Sequence, residues 1–150
     1  MIVPSAGPNR RVPVFGALDA MTGEVTTLIT QHKRSAEFLE FLRGLLDEIY
    51  AHYDHLYLFL DNCSIHHTRA VEVFIAENRH RLTVIWNATY APSLNLIERF
   101  WGHLKRSAIH NVYFETVENL ESAIMQAVNC LNRHKNHPFR TCVRSRITPP

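Results

Sequence analysis

Two carboxylates stand where a metal-dependent site would need them. Asp61 comes directly after the apolar run "LYLFL", and Glu98 lies in "SLNLIERFWGHLK", after a second apolar run. In open α/β sheets, functional side chains gather at the carboxyl ends of the strands. A hard divalent cation such as Mg²⁺ prefers oxygen ligands and relieves the repulsion between two carboxylates. The pattern favours a metal site, and a pair of such ions could steady the attacking and leaving oxygens of a phosphoryl transfer.

Both carboxylates also have a purely structural interpretation. Asp61 and Asn62 are residue types that readily make local turn hydrogen bonds. Asn95 and Glu98 have the spacing of a capping box, in which the glutamate reaches back to the first amide of a helix. The residues alone leave the structural and the metal-binding interpretations open.

The elements that must position these residues follow an α/β pattern. The runs "VPVFGALDA" and "EVTTLIT", joined through Gly23, predict a β-hairpin. The apolar runs "HLYLFL" and "LTVIW" predict two short strands that are buried on both faces. Helical periodicity predicts four helices: from Ser35, after the N-cap candidate Thr68, from Leu96, and over about Thr116 to Leu131. This order predicts a mixed sheet in which crossovers join the parallel strands.

Composition limits the class of protein. With 150 residues, 46% of them hydrophobic and 20% charged, the chain is expected to form one globular domain. No run approaches the roughly 18 apolar residues of a membrane span, and no signal-peptide pattern is present. We therefore expect no membrane partner and a cytoplasmic location. The three cysteines show no CxxC spacing, which argues against a disulfide framework or a structural zinc site.

The charge is unevenly distributed along the chain. Residues 1–11 carry prolines, a glycine and two arginines and are expected to be an irregular lead-in. No acidic residue follows Glu121, so residues 133–150, which include Arg133 and Lys135, are expected to form a basic tail. Such a tail suits a phosphate backbone. A solvated basic end is also common in proteins that bind nothing acidic.

Two segments of the chain resemble the mariner-like bacterial insertion-sequence transposases of the DDE superfamily, whose catalytic domain has an RNase H-like fold. In that family a strand ends in Asp-Asn with a histidine shortly after, as Asp61, Asn62 and His66 do here. A second pattern, "P-x-Y-S/A-P-x-L-N-P-I-E", leads into a helix with a tryptophan and a lysine. It is matched by Tyr90, Ala91, Pro92, Leu94, Asn95, Ile97, Glu98, Trp101 and Lys105. The resemblance covers nearly all of residues 1–150.

The resemblance implies a transposase catalytic domain that cleaves DNA strands and transfers them during DNA transposition. Asp61 and Glu98 would be the second and third carboxylates of a catalytic triad that binds two Mg²⁺ ions, in a cytoplasmic, nucleoid-associated protein. Candidate DNA contacts are Lys105, Arg106, Arg133, Lys135 and His66. His66 would orient the site or contact a phosphate, and a purely structural role is an equal alternative.

One departure from the family concerns the first triad aspartate, which lies on a strand upstream of the segment matched by "VPVFGALDA". No acidic residue precedes Asp19. Asp19 follows its strand at the hairpin end, whereas the family's site lies near the other end of that strand. The expectation is therefore a domain that lacks the first strand, with a homo-oligomer or a second chain supplying that strand. The alternatives are a non-catalytic remnant with weak DNA binding or self-association, or another RNase H-like nuclease.

Overall fold

The computed structural model describes residues 2–4, 11–87 and 96–140, with side chains from residue 11 onward. The chain divides into two compact units. The hairpin unit consists of Met1–Gln31 and Leu96–Pro150, and the parallel-strand unit consists of His32–Asn95.

The sheet of the hairpin unit has three antiparallel strands in the order β1 (Ile2–Pro4), β2 (Arg11–Leu18) and β3 (Val25–Ile29). The predicted hairpin is confirmed, because Val14 pairs with Ile29 and Leu18 with Val25. The prediction of an irregular lead-in is wrong for Ile2–Pro4. These three residues pair with β2. A short strand thus precedes the hairpin, contrary to the expectation that the strand before it is missing, and this strand carries no acidic residue.

The turn between β2 and β3 depends on two residues. Gly23 has a φ of +71°, a conformation that a side chain disfavours. Asp19 accepts hydrogen bonds through Oδ1 from the amides of Met21 (2.8 Å) and Thr22 (3.1 Å). The Asp19 carboxylate therefore serves the turn.

Two helices pack on this sheet: α3 (Leu96–Leu104) contacts β2, and α4 (Val117–Arg133) contacts β2 and β3. Thr116 caps α4 by accepting the amide hydrogen of Asn119 at 3.2 Å. Both predicted apolar stripes are confirmed, since their residues fill the core of the unit. The most buried members are Val12, Val14, Val25, Phe100, Leu104, Leu120 and Ile124.

The parallel-strand unit contains β4 (Leu56–Leu60) and β5 (Leu82–Trp86), which pair in parallel with Leu56 opposite Leu82. Helices α1 (Ser35–Gly44) and α2 (Arg69–Glu77) precede the two strands and pack on each other. The predicted crossover connection is thus present. Thr68 occupies the N-cap position of α2 as predicted, but its hydroxyl makes no capping hydrogen bond.

The prediction that both short strands are buried on both faces is wrong. Tyr57 is 67% exposed and Phe59 is 61% exposed, and Ile85 and Trp86 of β5 are also exposed. Among the described residues β4 pairs only with β5, and exposure alternates along β4 in the way expected for a strand with one covered face. The continuous apolar run "HLYLFL" therefore predicted a strand correctly but did not predict how many faces of that strand are covered.

Two helices continue into π-helical turns, over Leu45–Ile49 after α1 and over Lys105–Ile109 after α3. The sequence had predicted each segment only as a continuous helix. No helix in the described part of the chain is long and apolar enough to cross a membrane.

Candidate active site

Asp61 begins the loop at the carboxyl end of β4, as predicted. The loop is tied to the end of the neighbouring strand, because the Asn87 amide donates to the Leu60 carbonyl at 2.8 Å. The side chain of Asn62 adds a second tie by donating through Nδ2 to the Asn87 carbonyl at 3.0 Å. Asn62, predicted as a motif residue, therefore holds the ends of β4 and β5 together next to Asp61.

His66 lies against Asp61 and is only 8% exposed. Its Nδ1 is 3.1 Å from the Asp61 carbonyl oxygen and 3.0 Å from Asp61 Oδ1. Both oxygens are acceptors, so Nδ1 carries the hydrogen and donates to Asp61. The imidazole also packs against the ring of Phe38, with 4.2 Å between the ring centroids.

The environment of His66 favours the neutral form of its imidazole. Burial lowers the pKa of His66 below its ordinary value of 6.5, and this effect outweighs the opposing influence of Asp61. The next residue, His67, is exposed and stacks on Trp86 with 4.3 Å between the centroids. The two adjacent histidines therefore face different surroundings, and His66 has little surface with which to touch a phosphate.

Asp61 has one oxygen engaged and one available. Oδ1 accepts from the Cys63 amide at 3.3 Å and lies beside His66. The side chain is 55% exposed, and among the described residues Oδ2 has no hydrogen-bond partner. The local hydrogen bonds predicted for a turn are present, and they leave Oδ2 without a partner among the described residues.

Glu98 lies in the first turn of α3 in the hairpin unit and is exposed. No ion pair involves it within the described part of the chain. The predicted capping partner Asn95 and the motif residues Tyr90 and Pro92 lie outside the described residues. The capping-box interpretation of Glu98 therefore stays a prediction.

Trp101 fixes the position of α3 on the sheet. A Cβ added to Gly16 of β2 would lie 2.5 Å from Trp101 Cζ2 and 2.6 Å from Cη2. The indole therefore packs directly against the backbone of β2, where only glycine leaves room. Because Trp101 is three residues after Glu98, this contact also fixes the turn that carries Glu98. No local pattern in the sequence indicated that Trp101, one of the predicted motif residues, packs against Gly16.

The predicted basic contacts are exposed at two places in the hairpin unit. Lys105 and Arg106 begin the π-helical turn after α3, and Arg133 and Lys135 lie at and after the end of α4. Arg140, which the sequence assigned to the basic tail, is only 3% exposed. Its guanidinium donates to the carbonyls of Thr22 (3.0 Å) and Asn132 (2.7 Å) and to Glu24 Oε1 (3.1 Å).

The expectation that Arg140 belongs to a solvated basic segment is therefore wrong. Its charge ties the β2–β3 turn to the end of α4 and has little surface left for a partner. Asn132 supports the same junction: its side-chain amide both donates to and accepts from the backbone of Val25, at 2.8 and 2.9 Å. More than 100 residues separate these partners, so no local pattern could have indicated the contact.

Asp61 and Glu98 supply hard oxygen donors of the kind that Mg²⁺ prefers. No group of three or more histidine, cysteine, aspartate or glutamate residues in the described ranges could hold a metal by itself. Asp61, through Oδ2, and Glu98, which has no ion pair among the described residues, each fit a single ligand position. They do not by themselves form a complete coordination shell.

Comparison with known proteins agrees with this chemistry. A family model described as DDE superfamily endonuclease matches residues 2–121. A Shigella sonnei protein, described as the insertion element IS630 uncharacterized 39 kDa protein, is 31% identical over 109 residues. The match covers 73% of this chain and 31% of that protein, so the chain spans less than a third of this relative.

A similar structure shows the fold. One chain of the cryo-EM structure of the simian T-cell lymphotropic virus intasome, in complex with PP2A regulatory subunit B56 gamma, matches with a TM-score of 0.59. The match has 19% identity and covers 84% of this chain and 45% of the other. The prediction of an RNase H-like mixed α/β fold is confirmed. The prediction of a single mixed sheet is wrong for the described residues, because β1, β2 and β3 form an antiparallel sheet while β4 and β5 form a separate parallel one.

The family match extends over most of the chain and includes both Asp61 and Glu98. The chain belongs to the DDE superfamily of endonucleases. The narrower assignment to its mariner-like members stays a prediction.

Proposed function

We propose that this chain is part of the catalytic domain of an insertion-sequence DNA transposase. The enzyme would cleave a DNA strand and join a 3′-hydroxyl to target DNA, in the cytoplasm at the nucleoid. The observation that carries this proposal is the DDE family match over residues 2–121, which contains Asp61 after β4 and Glu98 at the start of α3. Asp61 and Glu98 are assigned as Mg²⁺ ligands, and the bound ions would supply the Lewis acidity for phosphoryl transfer.

The other residues have supporting roles in this proposal. His66 orients Asp61 by donating its Nδ1 hydrogen to it, as ligand-supporting residues in metal sites commonly do. Asn62 holds the loop to the end of β5. Lys105, Arg133 and Lys135 contact phosphates of the DNA backbone, which positions the duplex without reading its sequence.

The third carboxylate of the site would come from outside these 150 residues. No acidic residue precedes Asp19, and the Asp19 carboxylate accepts the amides of its own turn. A preceding segment or a second chain, including a homo-oligomeric partner, could provide it. A non-catalytic remnant that binds DNA weakly is the second candidate function, because two carboxylates alone give an incomplete site.

A nicking assay separates these candidates. The DNA upstream of Met1 is translated in all frames, and any segment with a strand that ends in aspartate is expressed together with this chain. The transposase proposal predicts Mg²⁺-dependent nicking of supercoiled DNA by the combination, lost in Asp61→Asn, and none by the chain alone. The absence of such a segment, or inactivity of the combination, would favour the remnant.

A further inference from the structure

The side chain of Arg106 lies over Gly102, one helical turn before it. A Cβ added to Gly102 would be 3.4 Å from Arg106 Nη1, 3.8 Å from Nη2 and 3.9 Å from Cζ. The guanidinium therefore occupies the space beside the one residue of α3 that has no side chain. Side chains on helices tend to point toward the helix N-terminus, and here that direction leads toward Glu98.

The backbone after α3 helps to place this arginine. Lys105–Ile109 forms a π-helical turn in which the His110 amide donates to the Lys105 carbonyl at 2.7 Å. Ser107 adds a hydrogen bond from its hydroxyl to the His103 carbonyl at 2.9 Å. Turns of this kind are rare and occur frequently at functional sites. In this one, Lys105 and Arg106 are exposed while Ile109 is buried in the core.

Glu98 and Gly102 lie on the same face of α3, because they are four residues apart. At 1.5 Å per residue they are separated by about 6 Å along the helix axis. Glu98 and Arg106 form no ion pair with each other or with any other residue that the structure describes. Over the described residues, α3 thus presents the Glu98 carboxylate and, beside Gly102 one turn later, the exposed Arg106 guanidinium without an ion-pair partner.

We infer that the Arg106 guanidinium, which lies beside Gly102, binds a backbone phosphate of the DNA strand next to Glu98. The inference rests on the proposed function. The planar guanidinium can donate two parallel hydrogen bonds to phosphate oxygens, which fixes orientation as well as charge. Gly102 contributes to this binding site because a long side chain at position 102 would fill the space in which the Arg106 guanidinium lies.

Fluorescence anisotropy with a short labelled duplex tests the role of Arg106 in this chain. Arg106→Gln is compared with Arg79→Gln, which removes an exposed arginine at the end of α2 with the same change in charge. We expect Arg106→Gln to weaken binding about tenfold and to reduce the slope of log K against log salt by about 1. Arg79→Gln is expected to bind DNA within about twofold of wild type, because Arg79 is not assigned a phosphate contact. Its salt slope should therefore also stay unchanged.

Substitution of Gly102 tests the path of the side chain. Gly102→Leu should weaken DNA binding nearly as much as Arg106→Gln, because a side chain at position 102 meets the Arg106 guanidinium from its Cβ onward. In the double variant Gly102→Leu/Arg106→Gln the losses should not add, because both changes remove one contact. Thermal melting of all variants checks that the fold is retained.

The outcomes distinguish the inference from the proposal beneath it. If wild type binds DNA but Arg106→Gln and Arg79→Gln lose affinity equally, the inference about Arg106 is wrong and the transposase proposal stands. Additive losses in the double variant would also overturn it. If wild type binds no DNA even at low salt, the proposed DNA-binding function fails and the inference fails with it.

Discussion

The hydrogen bonds at Asp61 give its two oxygens different roles. Oδ1 faces His66 Nδ1 at 3.0 Å and the Cys63 amide at 3.3 Å, while Oδ2 has no partner among the described residues. A carboxylate held through one oxygen is preorganised for a metal at the other, because its orientation is fixed before the metal binds. The turn interpretation and the metal interpretation of Asp61 therefore describe the same geometry.

Two substitutions at His66 separate its hydrogen bond to Asp61 from its packing against Phe38. His66→Phe retains an aromatic ring against Phe38 but removes the donor to Asp61, so we expect Mn²⁺ affinity to fall about tenfold or more with a small change in melting temperature. His66→Asn retains a donor near the position of Nδ1 but removes the ring, so the melting temperature should fall more than metal affinity does. Isothermal titration and thermal melting measure the two effects. Equal metal affinity in both variants would show that the imidazole has only a packing role.

At the scale of elements, the sequence predicted the type and order of the helices and strands well. It predicted poorly which of their residues are buried. The hairpin and the two apolar helical stripes are present because local turn chemistry and periodicity decide them. Burial of β4 was mispredicted, because an apolar run does not record how many faces a strand has covered. The buried Arg140 was mispredicted because its partners, Thr22 and Glu24, lie more than 100 residues away. For the candidate site, the sequence predicted Asp61 and Glu98, and their role as metal ligands stays a prediction. The packing of Phe38 on His66 and of the Arg106 guanidinium beside Gly102 could be seen only in the structure.

The contact between α3 and β2 gives the prediction that belongs to this scale. Gly16→Ala should destabilise the chain by about 1 to 3 kcal/mol, because the added methyl overlaps the Trp101 indole. Gly44→Ala is the control, since a Cβ there meets nothing within 4 Å and alanine favours the helix by about 1 kcal/mol. The double variant Gly16→Ala/Trp101→Phe should recover part of the loss. Urea denaturation measures all four, and an unchanged midpoint in Gly16→Ala would refute the close packing.

At the scale of the whole molecule, Asp61 belongs to the parallel-strand unit and Glu98 to the hairpin unit, and the proposed function requires both carboxylates. Among the described residues, Asp61 Oδ2 has no hydrogen-bond partner and Glu98 has no ion pair. The central claim is that both bind Mg²⁺ and thereby hold DNA. This claim can be tested with the chain as it is, without requiring cleavage.

The most direct measurement is the affinity for a short duplex in Mg²⁺ and in EDTA at matched ionic strength. Wild type and the control Glu77→Gln should bind more tightly in Mg²⁺. Asp61→Asn and Glu98→Gln should lose that increment, yet bind at least as tightly as wild type in EDTA, because each removes a negative charge that repels phosphate. An Mg²⁺ response that persists unchanged in both variants would contradict the assignment of Asp61 and Glu98 as metal ligands.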